Sequence, residues 1–312
     1  MPRLSLNDLA YQAGGVLPSG VLKKALGASL ADLGCALCLH RALPVTRPTD
    51  WQPGLNMPPE EIDALIELLL TARPGRASGW LTVSFDDGYR DSAEYLRSRA
   101  THFPDVEFLF FVCPEKIEHR AGFRWDLAEL SLRDGAPRAS AMALLDATMD
   151  IEKENDRVDL RALAEHPDFQ LSTVDELREL RALPNVTIGN HTSLHATAGL
   201  AGEETVSEDY RRSSKALGRL FGVERHFAFP FGTPRHHFDV PQVTLLRGLG
   251  DFLIWCTEGR PYRLEERRPK AVLPRFPIDG RKSTAELAGL IAARSLKFRL
   301  RGTPHSFKLE AP

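Results

Sequence analysis

Seven short apolar segments of β-strand character alternate with segments of helical pattern along this chain, and this alternation constrains its fold more than any other feature. Because the segments are apolar on both faces, they are typical of parallel strands that helices cover. Parallel strands need long crossover connections, which the intervening helical segments supply. The sequence therefore indicates an α/β fold. The predicted strands are Cys35–His40, Leu81–Phe85, Glu107–Val112, Val186–Gly189, His226–Phe229, Phe252–Cys256 and Val272–Arg275.

Three of the connecting segments carry clear helix signals. One is opened by Pro58-Pro59-Glu60-Glu61, and proline suits the first helical turn, where its missing N–H costs nothing. A second, Thr173–Ala182, begins with a capping pattern, and a third, Glu203–Phe221, ends at Gly222. The first of these helices carries one apolar stripe, formed by Ile62, Leu65, Ile66, Leu69 and Leu70.

The 312 residues are expected to form a single domain, because no Gly/Ser-rich linker and no internal repeat divides them. The core is expected over about 36–280. A mostly helical insertion is expected over about 114–170, with helical patterns at Ala139–Asp150 and Arg157–Glu165, and a C-terminal helix and tail over 281–312.

Composition excludes several classes of protein. The 40 Lys and Arg residues and 42 Asp and Glu residues give a net charge of −2, which disfavours nucleic acid as a partner. Asp8 and Gln12 interrupt the apolar stretch that a signal peptide would need, and no apolar run approaches the length of a transmembrane segment. Four cysteines without an export signal predict free thiols. These features favour a cytoplasmic protein without a membrane span.

Two adjacent carboxylates, Asp86 and Asp87, directly follow the second predicted strand, and Gly88 comes next. In parallel α/β folds, the carboxyl ends of the strands form the working face. Two carboxylates at the end of an apolar strand on that face are suited to catalysis or metal binding. An Asp-Gly turn with Asp86 as a helix cap is the structural alternative.

Two histidines four residues apart, His191 and His195, follow the fourth predicted strand. Imidazoles at this spacing share one face of a helical turn and can bind one metal ion. With Asp87 they form a set of two histidines and one carboxylate, which leaves coordination positions open for water and substrate. Surface or capping roles are the alternative for the histidine pair.

These residues resemble two motifs of the polysaccharide deacetylases, or NodB-homology domains, of carbohydrate esterase family four. Ser84 to Gly88 resemble the family's T/S-F-D-D-G motif, and His191 to His195 resemble its H-[S/T]-x-x-H motif. The resemblance covers about 36–280 and is strongest to the branch that deacetylates exopolysaccharides. It implies a distorted (β/α) barrel of about seven parallel strands. It also implies that Asp86 is the catalytic base.

By the same resemblance, Asp87, His191 and His195 would bind one divalent metal ion. Zinc is expected first, with cobalt, nickel, manganese or iron as alternatives.

Two other family motifs are altered in this chain. Phe227 to Gly232 resemble the third motif, R-x-P-Y, but Ala228 stands where the arginine would be. Arg275, on the last predicted strand, is therefore the candidate for orienting Asp86. The late L-x-H motif would fall on 273–275 and contains no histidine, whereas Leu37 to His40 resemble an early L-x-Y-H strand. His40 is therefore the candidate general acid.

The backbone N–H of Phe231 and the side chain of Tyr89 are the candidates for the oxyanion and substrate position. His236 and His237 lie in the loop after the third motif, where a solvated loop is the simpler interpretation than substrate contact. Cys35 and Cys38 resemble a metal pair, but residues three apart on a strand point to opposite faces and cannot share one ion.

The predicted function is metal-dependent hydrolysis of a carbon–nitrogen bond in a linear amide, other than a peptide bond. The resemblance implies an N-acetyl group on an amino sugar that is part of a polymer, linked to a lipid or linked to a nucleotide. The alternatives are an amidase for a small linear amide and a metal-binding carbohydrate-binding homologue without activity. A non-haem iron oxygenase uses the same ligand types, but its usual scaffold is a β-sandwich.

Overall fold

The computed structural model describes residues 6–44, 53–74, 79–148, 160–193, 195, 197–222 and 225–302. Its strands form one nine-stranded sheet, in which all seven predicted strands are present. Two strands of two residues each, Tyr262–Arg263 and Phe276–Pro277, were not predicted. The strands are β1 (Leu33–Leu39), β2 (Leu81–Phe85), β3 (Glu107–Val112), β4 (Val186–Asn190), β5 (His226–Ala228), β6 (Leu253–Cys256), β7 (Tyr262–Arg263), β8 (Val272–Pro274) and β9 (Phe276–Pro277).

The sheet curls into a nearly closed barrel of mostly parallel strands, as predicted. Its order is β7-β1-β2-β3-β4-β5-β6-β8, and β9 also pairs with β1. The last two strands bring the two ends of the sheet towards each other, because β8 pairs with β6 at one end and β9 pairs with β1 near the other. Arg275 lies between these two short strands. The prediction placed it within a single strand, and its position at the strand break is a correction.

Helices surround this sheet. The capping pattern predicted at the start of the second helix is present, since Thr173 forms a capping box with Glu176. Ser283 forms a further capping box with Glu286, which was not predicted. The helices are α1 (Leu6–Val16), α2 (Ser19–Leu30), α3 (Pro59–Ala72), α4 (Arg90–Arg99), α5 (Pro114–His119), α6 (Arg124–Arg133), α7 (Arg138–Thr148), α8 (Arg161–Glu165), α9 (Val174–Arg181), α10 (Glu203–Phe221), α11 (Val240–Leu249) and α12 (Thr284–Arg301).

The connection between β3 and β4 contains α5 to α9, and α5 to α8 lie where the mostly helical insertion was predicted. The helical pattern Arg157–Glu165 is described only from residue 160 onward, and residues 303–312 of the predicted C-terminal tail lie outside the described residues. Helix α12 packs against α1 where Gly14 and Gly289 meet. A Cβ added at Gly289 would lie 2.5 Å from the Gly14 Cα, so this crossing depends on glycine.

Two apolar layers hold the sheet in place. The larger one lies between the sheet and its helices and includes Leu37, Val83 and Phe110. A smaller cluster, which includes Phe111 and Trp255, consists of side chains on the opposite face of the strands. Since strand side chains alternate in direction, the second cluster fills the barrel interior. Among the described residues, no helix combines the length and the hydropathy that crossing a bilayer requires.

Candidate active site

The predicted site residues come together at one end of the barrel, where several strands finish. Asp86 and Asp87 follow β2, His191 follows β4, and His40 follows β1. His40 was predicted as the last residue of its strand and instead lies one residue beyond it. Asp86, Asp87 and His191 are buried, while His40 is partly buried. A carboxylate pair and a histidine pair from distant parts of the sequence therefore share one site.

The backbone at this site is strained at several positions. Asp87, Thr192, His195 and Phe231 have positive φ angles of 76°, 67°, 62° and 59°, a region that residues other than glycine rarely adopt. Hydrogen bonds hold the turn between the histidines: the His195 N–H donates to Thr192 Oγ1 at 3.0 Å. The Thr192 N–H donates to the Asn190 side chain at 2.8 Å. Such strain concentrates at functional sites, where neighbouring contacts maintain it.

Asp87, His191 and His195 form a compact set of ligand atoms. The Asp87 Oδ1 atom lies 3.0 Å from His195 Nε2 and 3.5 Å from His191 Nε2. Two ligands of a tetrahedral zinc ion lie about 3.3 Å apart when both bonds are about 2.0 Å long. Asp87 Oδ1 is buried, and no group within the described residues forms a hydrogen bond with it. An orphaned carboxylate oxygen facing two imidazole nitrogens fits a metal ion.

A second contact fixes the orientation of His191. Its Nδ1 atom lies 2.9 Å from the Ala228 carbonyl oxygen, which accepts the ring proton and leaves Nε2 free to bind a metal. Burial lowers the pKa of His191, but the carboxylates of Asp86 and Asp87 outweigh that effect and raise it. For Asp87, burial is likewise outweighed by His195 and His191, so its pKa lies well below the ordinary carboxyl value. Asp87 is therefore ionised, as a metal ligand must be.

Arg275 holds Asp86 with two parallel hydrogen bonds. Arg275 Nη1 donates to Asp86 Oδ1 at 2.6 Å, and Nη2 donates to Oδ2 at 2.9 Å. Nη1 also donates to Ser84 Oγ at 2.8 Å. Burial raises the pKa of Asp86, but the Arg275 guanidinium and the His191 ring outweigh it, so that the pKa is lowered. This geometry gives Asp86 a fixed orientation without the arginine of the third motif, which Ala228 replaces.

His40 and Cys38 also lie close to Asp86. The Cys38 thiol donates a weak hydrogen bond to Asp86 Oδ2 at 3.5 Å. A ring nitrogen of His40 lies within 4.8 Å of both the Cys38 sulfur and an Asp86 oxygen. His40 is therefore within short reach of Asp86.

Three aromatic side chains surround His195. The ring centroids of Phe123, Trp125 and Phe231 lie 5.4, 4.9 and 4.9 Å from the centroid of the His195 ring. Phe123 and Trp125 stack on each other at 4.2 Å. Because Trp125 and Phe231 are only partly buried, they form an apolar wall at the mouth of the site. We call these three residues the aromatic wall.

The Tyr89 side chain is fully engaged within the protein. Its hydroxyl donates to the Asp126 carboxylate at 2.9 Å and accepts from the Trp125 indole N–H at 2.7 Å. The Arg41 guanidinium lies 4.2 Å above the Tyr89 ring. With an exposed fraction of 1%, Tyr89 has no free face for substrate. The structure therefore favours a positioning role, in which Tyr89 fixes Trp125, over the predicted role in substrate binding.

Asp126 is a buried carboxyl group that titrates near neutrality. Its burial raises its pKa to about 7, and the opposing effects of Arg41 and of the Tyr89 hydrogen bond are smaller. An unfolded aspartate has a pKa of about 3.9, so the native state binds this proton more tightly. The contribution of Asp126 to stability is therefore fully present below pH ~4 and is lost as the pH rises through about 7.

We expect Asp126→Asn to be more stable, relative to the wild type, at pH 8 than at pH 5. Between pH 5 and pH 8, the free energy of unfolding of the variant should rise by roughly 2 kcal/mol relative to that of the wild type, because asparagine does not ionise. Urea denaturation of both metal-free proteins at each pH measures it. Asp134→Asn, at an exposed position on the same segment, is the control. A difference that is independent of pH would contradict the assignment.

Several site residues were not predicted from the sequence. Phe123, Trp125 and Asp126 lie in the predicted insertion, to which no site residue was assigned. The Phe-x-Trp-Asp sequence at 123–126 is a concentration of aromatic and acidic residues inside a charged segment, and this is the one signal that could have identified them. His237, in the loop after the third motif, lies with its ring centroid 5.3 Å from that of Phe231.

No family model and no curated protein matches this sequence. Solved structures do match its fold. The deacetylase PplD of Streptococcus pyogenes, in complex with acetate, is 13% identical, with a TM-score of 0.54 over 83% of this chain and 98% of that chain. A polysaccharide deacetylase from Bacillus cereus is 13% identical, with a TM-score of 0.54 over 83% of this chain and 68% of that chain. A proposed polysaccharide deacetylase from Bacillus anthracis is 13% identical, with a TM-score of 0.55 over 83% and 69% of the two chains. This chain therefore has the fold of the polysaccharide deacetylases of known structure, the family that its motifs resemble.

Proposed function

We propose that this chain is a zinc-dependent hydrolase that removes the N-acetyl group from an amino sugar. The observation that carries the proposal is the buried set of Asp87, His191 and His195 directly beside the paired Asp86 and Arg275. The first set offers three protein ligands and open positions, as catalytic zinc sites do. The second offers an ionised, oriented carboxylate that can accept a proton.

Zinc held by Asp87, His191 and His195 would polarise the substrate carbonyl and lower the pKa of a bound water from 15.7 towards ~7. Asp86 accepts the proton that the attacking water loses. Arg275 keeps the Asp86 carboxylate oriented through both of its oxygens during this transfer. His40 donates a proton to the departing amine, so the products are acetate and the free amino sugar.

The backbone N–H of Phe231 is suited to bind the oxygen that becomes negatively charged. Its residue has a φ of 59°, and none of the described residues accepts a hydrogen bond from this N–H group. The Phe231 carbonyl, in contrast, accepts from Thr257 Oγ1 at 3.1 Å, which fixes the orientation of the peptide. A free, oriented donor at the edge of the site supports the oxyanion role.

The aromatic wall supports an amino sugar as substrate. The indole of Trp125 is held in place by its hydrogen bond to Tyr89 and by its stack on Phe123. A fixed, partly exposed aromatic face beside the reacting group fits the apolar face of a pyranose ring. The substrate assay distinguishes an amino sugar that is part of a polymer from one that is linked to a lipid or to a nucleotide.

The assay uses protein loaded with one equivalent of zinc. N-acetylhexosamine derivatives, chito-oligosaccharides and small linear amides are incubated with it, and released acetate and free amine are measured. Release of both products from an acetylated amino sugar supports the proposal. Turnover of linear amides alone would replace it by an amidase, and retained zinc without turnover of any substrate would replace it by a binding protein.

His40→Gln is expected to reduce amide hydrolysis by about 10²–10⁴-fold, the range that general acids supply. Hydrolysis of an activated aryl acetate should fall far less, because that leaving group departs without a proton. Initial rates on both substrates, measured at equal zinc content, give the comparison. Equal losses on the two substrates, or a fall in Tm large enough to explain the loss, would identify His40 as a structural residue.

A further inference from the structure

A second group of metal-ligating side chains lies beside the first. Cys38, His40 and Asp86 offer one sulfur, one nitrogen and one oxygen atom, all within 4.8 Å of one another. This group shares no residue with Asp87 and the two histidines. The two groups are nevertheless in contact, since His191 Nε2 lies 4.0 Å from Asp86 Oδ2.

The atoms in this second group suit zinc. Cys38 Sγ and Asp86 Oδ2 are 3.5 Å apart. Two tetrahedral ligands with bonds of about 2.3 and 2.0 Å lie about 3.5 Å apart. The Nδ1 atom of His40 is buried, and no described residue forms a hydrogen bond with it. A thiol, an imidazole and a carboxylate are the ligand types that zinc prefers.

Of the two cysteines on β1, Cys38 is the one whose thiol lies beside Asp86. Cys35, three residues earlier on β1, packs in the apolar layer between the sheet and its helices, on the opposite face of the strand. Burial raises the pKa of the Cys38 thiol well above its ordinary value, and the nearby Arg275 guanidinium, which bonds both oxygens of Asp86, offsets only part of this effect. A metal at Cys38 must displace the thiol proton and share Asp86 with Arg275, so this site should bind more weakly than the first.

We propose that Cys38, His40 and Asp86 form a second, weaker zinc site whose occupation inhibits the enzyme. Binding converts the Cys38 thiol into a zinc-bound thiolate and releases one proton. The inhibitory part rests on the proposed function, because occupation of the site takes the Asp86 oxygen and the His40 nitrogen that would carry protons in the reaction. Excess zinc would thereby stop turnover while the first site keeps its own zinc ion.

Cobalt titration tests the site independently of activity. The ligands at Asp87, His191 and His195 include no sulfur, so a thiolate-to-cobalt charge-transfer absorption in the near ultraviolet reports on the second site alone. We expect this band to grow only after the first equivalent of Co²⁺ has bound. It should be absent in Cys38→Ser and retained in Cys35→Ala, the matched control on the same strand.

Zinc inhibition provides the second measurement. The ratio of the rate in excess zinc to the rate at one equivalent should be low for the wild type and close to one for Cys38→Ser. A wild-type protein that binds one equivalent and shows no charge-transfer band overturns the site, even if the variants do not fold. A band that persists in Cys38→Ser overturns the assignment to Cys38. Unchanged activity in excess zinc, with the band present, overturns inhibition.

The two proposals fail in different ways. A charge-transfer band in a protein that hydrolyses none of the substrates would refute the deacetylase proposal and support the second metal site. Deacetylation with one bound equivalent and no band would do the reverse.

Discussion

Replacing both His191 and His195 with alanine is expected to abolish tight binding of the first zinc ion. The two imidazole Nε2 atoms and Asp87 Oδ1 are the three ligand atoms of this site, and one carboxylate alone is a poor zinc ligand set. Loss of a single supporting hydrogen bond commonly costs 10–100-fold in metal affinity, so loss of two ligands should cost more than about 100-fold. Equilibrium dialysis with metal analysis, against a chelator of known affinity, measures the change.

The experiment is cleanest in a Cys38→Ser background. The second group would otherwise bind zinc and conceal the loss of the first site. His236→Ala/His237→Ala in the same background is the matched control, because it also removes two histidines but leaves the ligand set intact. One equivalent of zinc still held tightly after loss of His191 and His195 would overturn the ligand assignment.

The fold was predictable because the strands are buried on both faces. Each strand from β2 to β4 is a short apolar run, and the beginning and end of that run in the sequence predict the bounds of the strand. The predicted bounds agree with those in the structure to within one residue. The strands β7 and β9 were missed, since two residues carry no periodicity. Their positions depend on partners distant in the chain: β7 pairs antiparallel with β1, and β9 completes the barrel beside it.

The site was predictable where one motif holds several functional groups. Asp86 with Asp87, and His191 with His195, are each fixed by local chain geometry, and their residue types limit the chemistry. The aromatic wall was not predictable in this way. Phe123 and Trp125 reach His195 through tertiary packing of the β3–β4 connection, and no spacing rule connects residues so far apart. Cys38 was excluded only as a partner for Cys35, and its contact with Asp86 required the barrel geometry.

The two adjacent aspartates differ in how their charges are compensated. Asp86 forms a bidentate pair with a fully buried arginine, whereas Asp87 Oδ1 faces two imidazoles and has no hydrogen bond from the described part of the chain. A carboxylate whose charge a guanidinium already balances is suited to proton transfer and binds a metal only in competition with that guanidinium. A carboxylate with an unsatisfied oxygen is suited to metal binding. The structure thus supports separate roles for neighbours that the sequence alone does not distinguish.

Asp86→Asn is therefore expected to retain one equivalent of zinc and to lose about 10²–10⁴-fold in kcat, the contribution typical of a general base. The amide preserves the shape of the side chain but cannot accept the proton. One Arg275 hydrogen bond is lost, and a buried arginine without a counterion destabilises the protein, in comparable cases by about 3–5 kcal/mol. Rates are accordingly measured well below the Tm of the variant, with its zinc content determined in the same sample.

Asp87→Asn is the matched comparison, because it makes the same chemical change one residue further along. It should lose zinc affinity first and activity as a consequence, so added zinc should partly restore its rate when both variants are made in the Cys38→Ser background, which removes the inhibitory second site. Added zinc should not restore Asp86→Asn, whose first site is already filled. The opposite pattern, with zinc lost from Asp86→Asn and retained by Asp87→Asn, would mean that the aspartates have exchanged roles. Arg275 would then orient a ligand, and the proton acceptor would be the carboxylate beside His195.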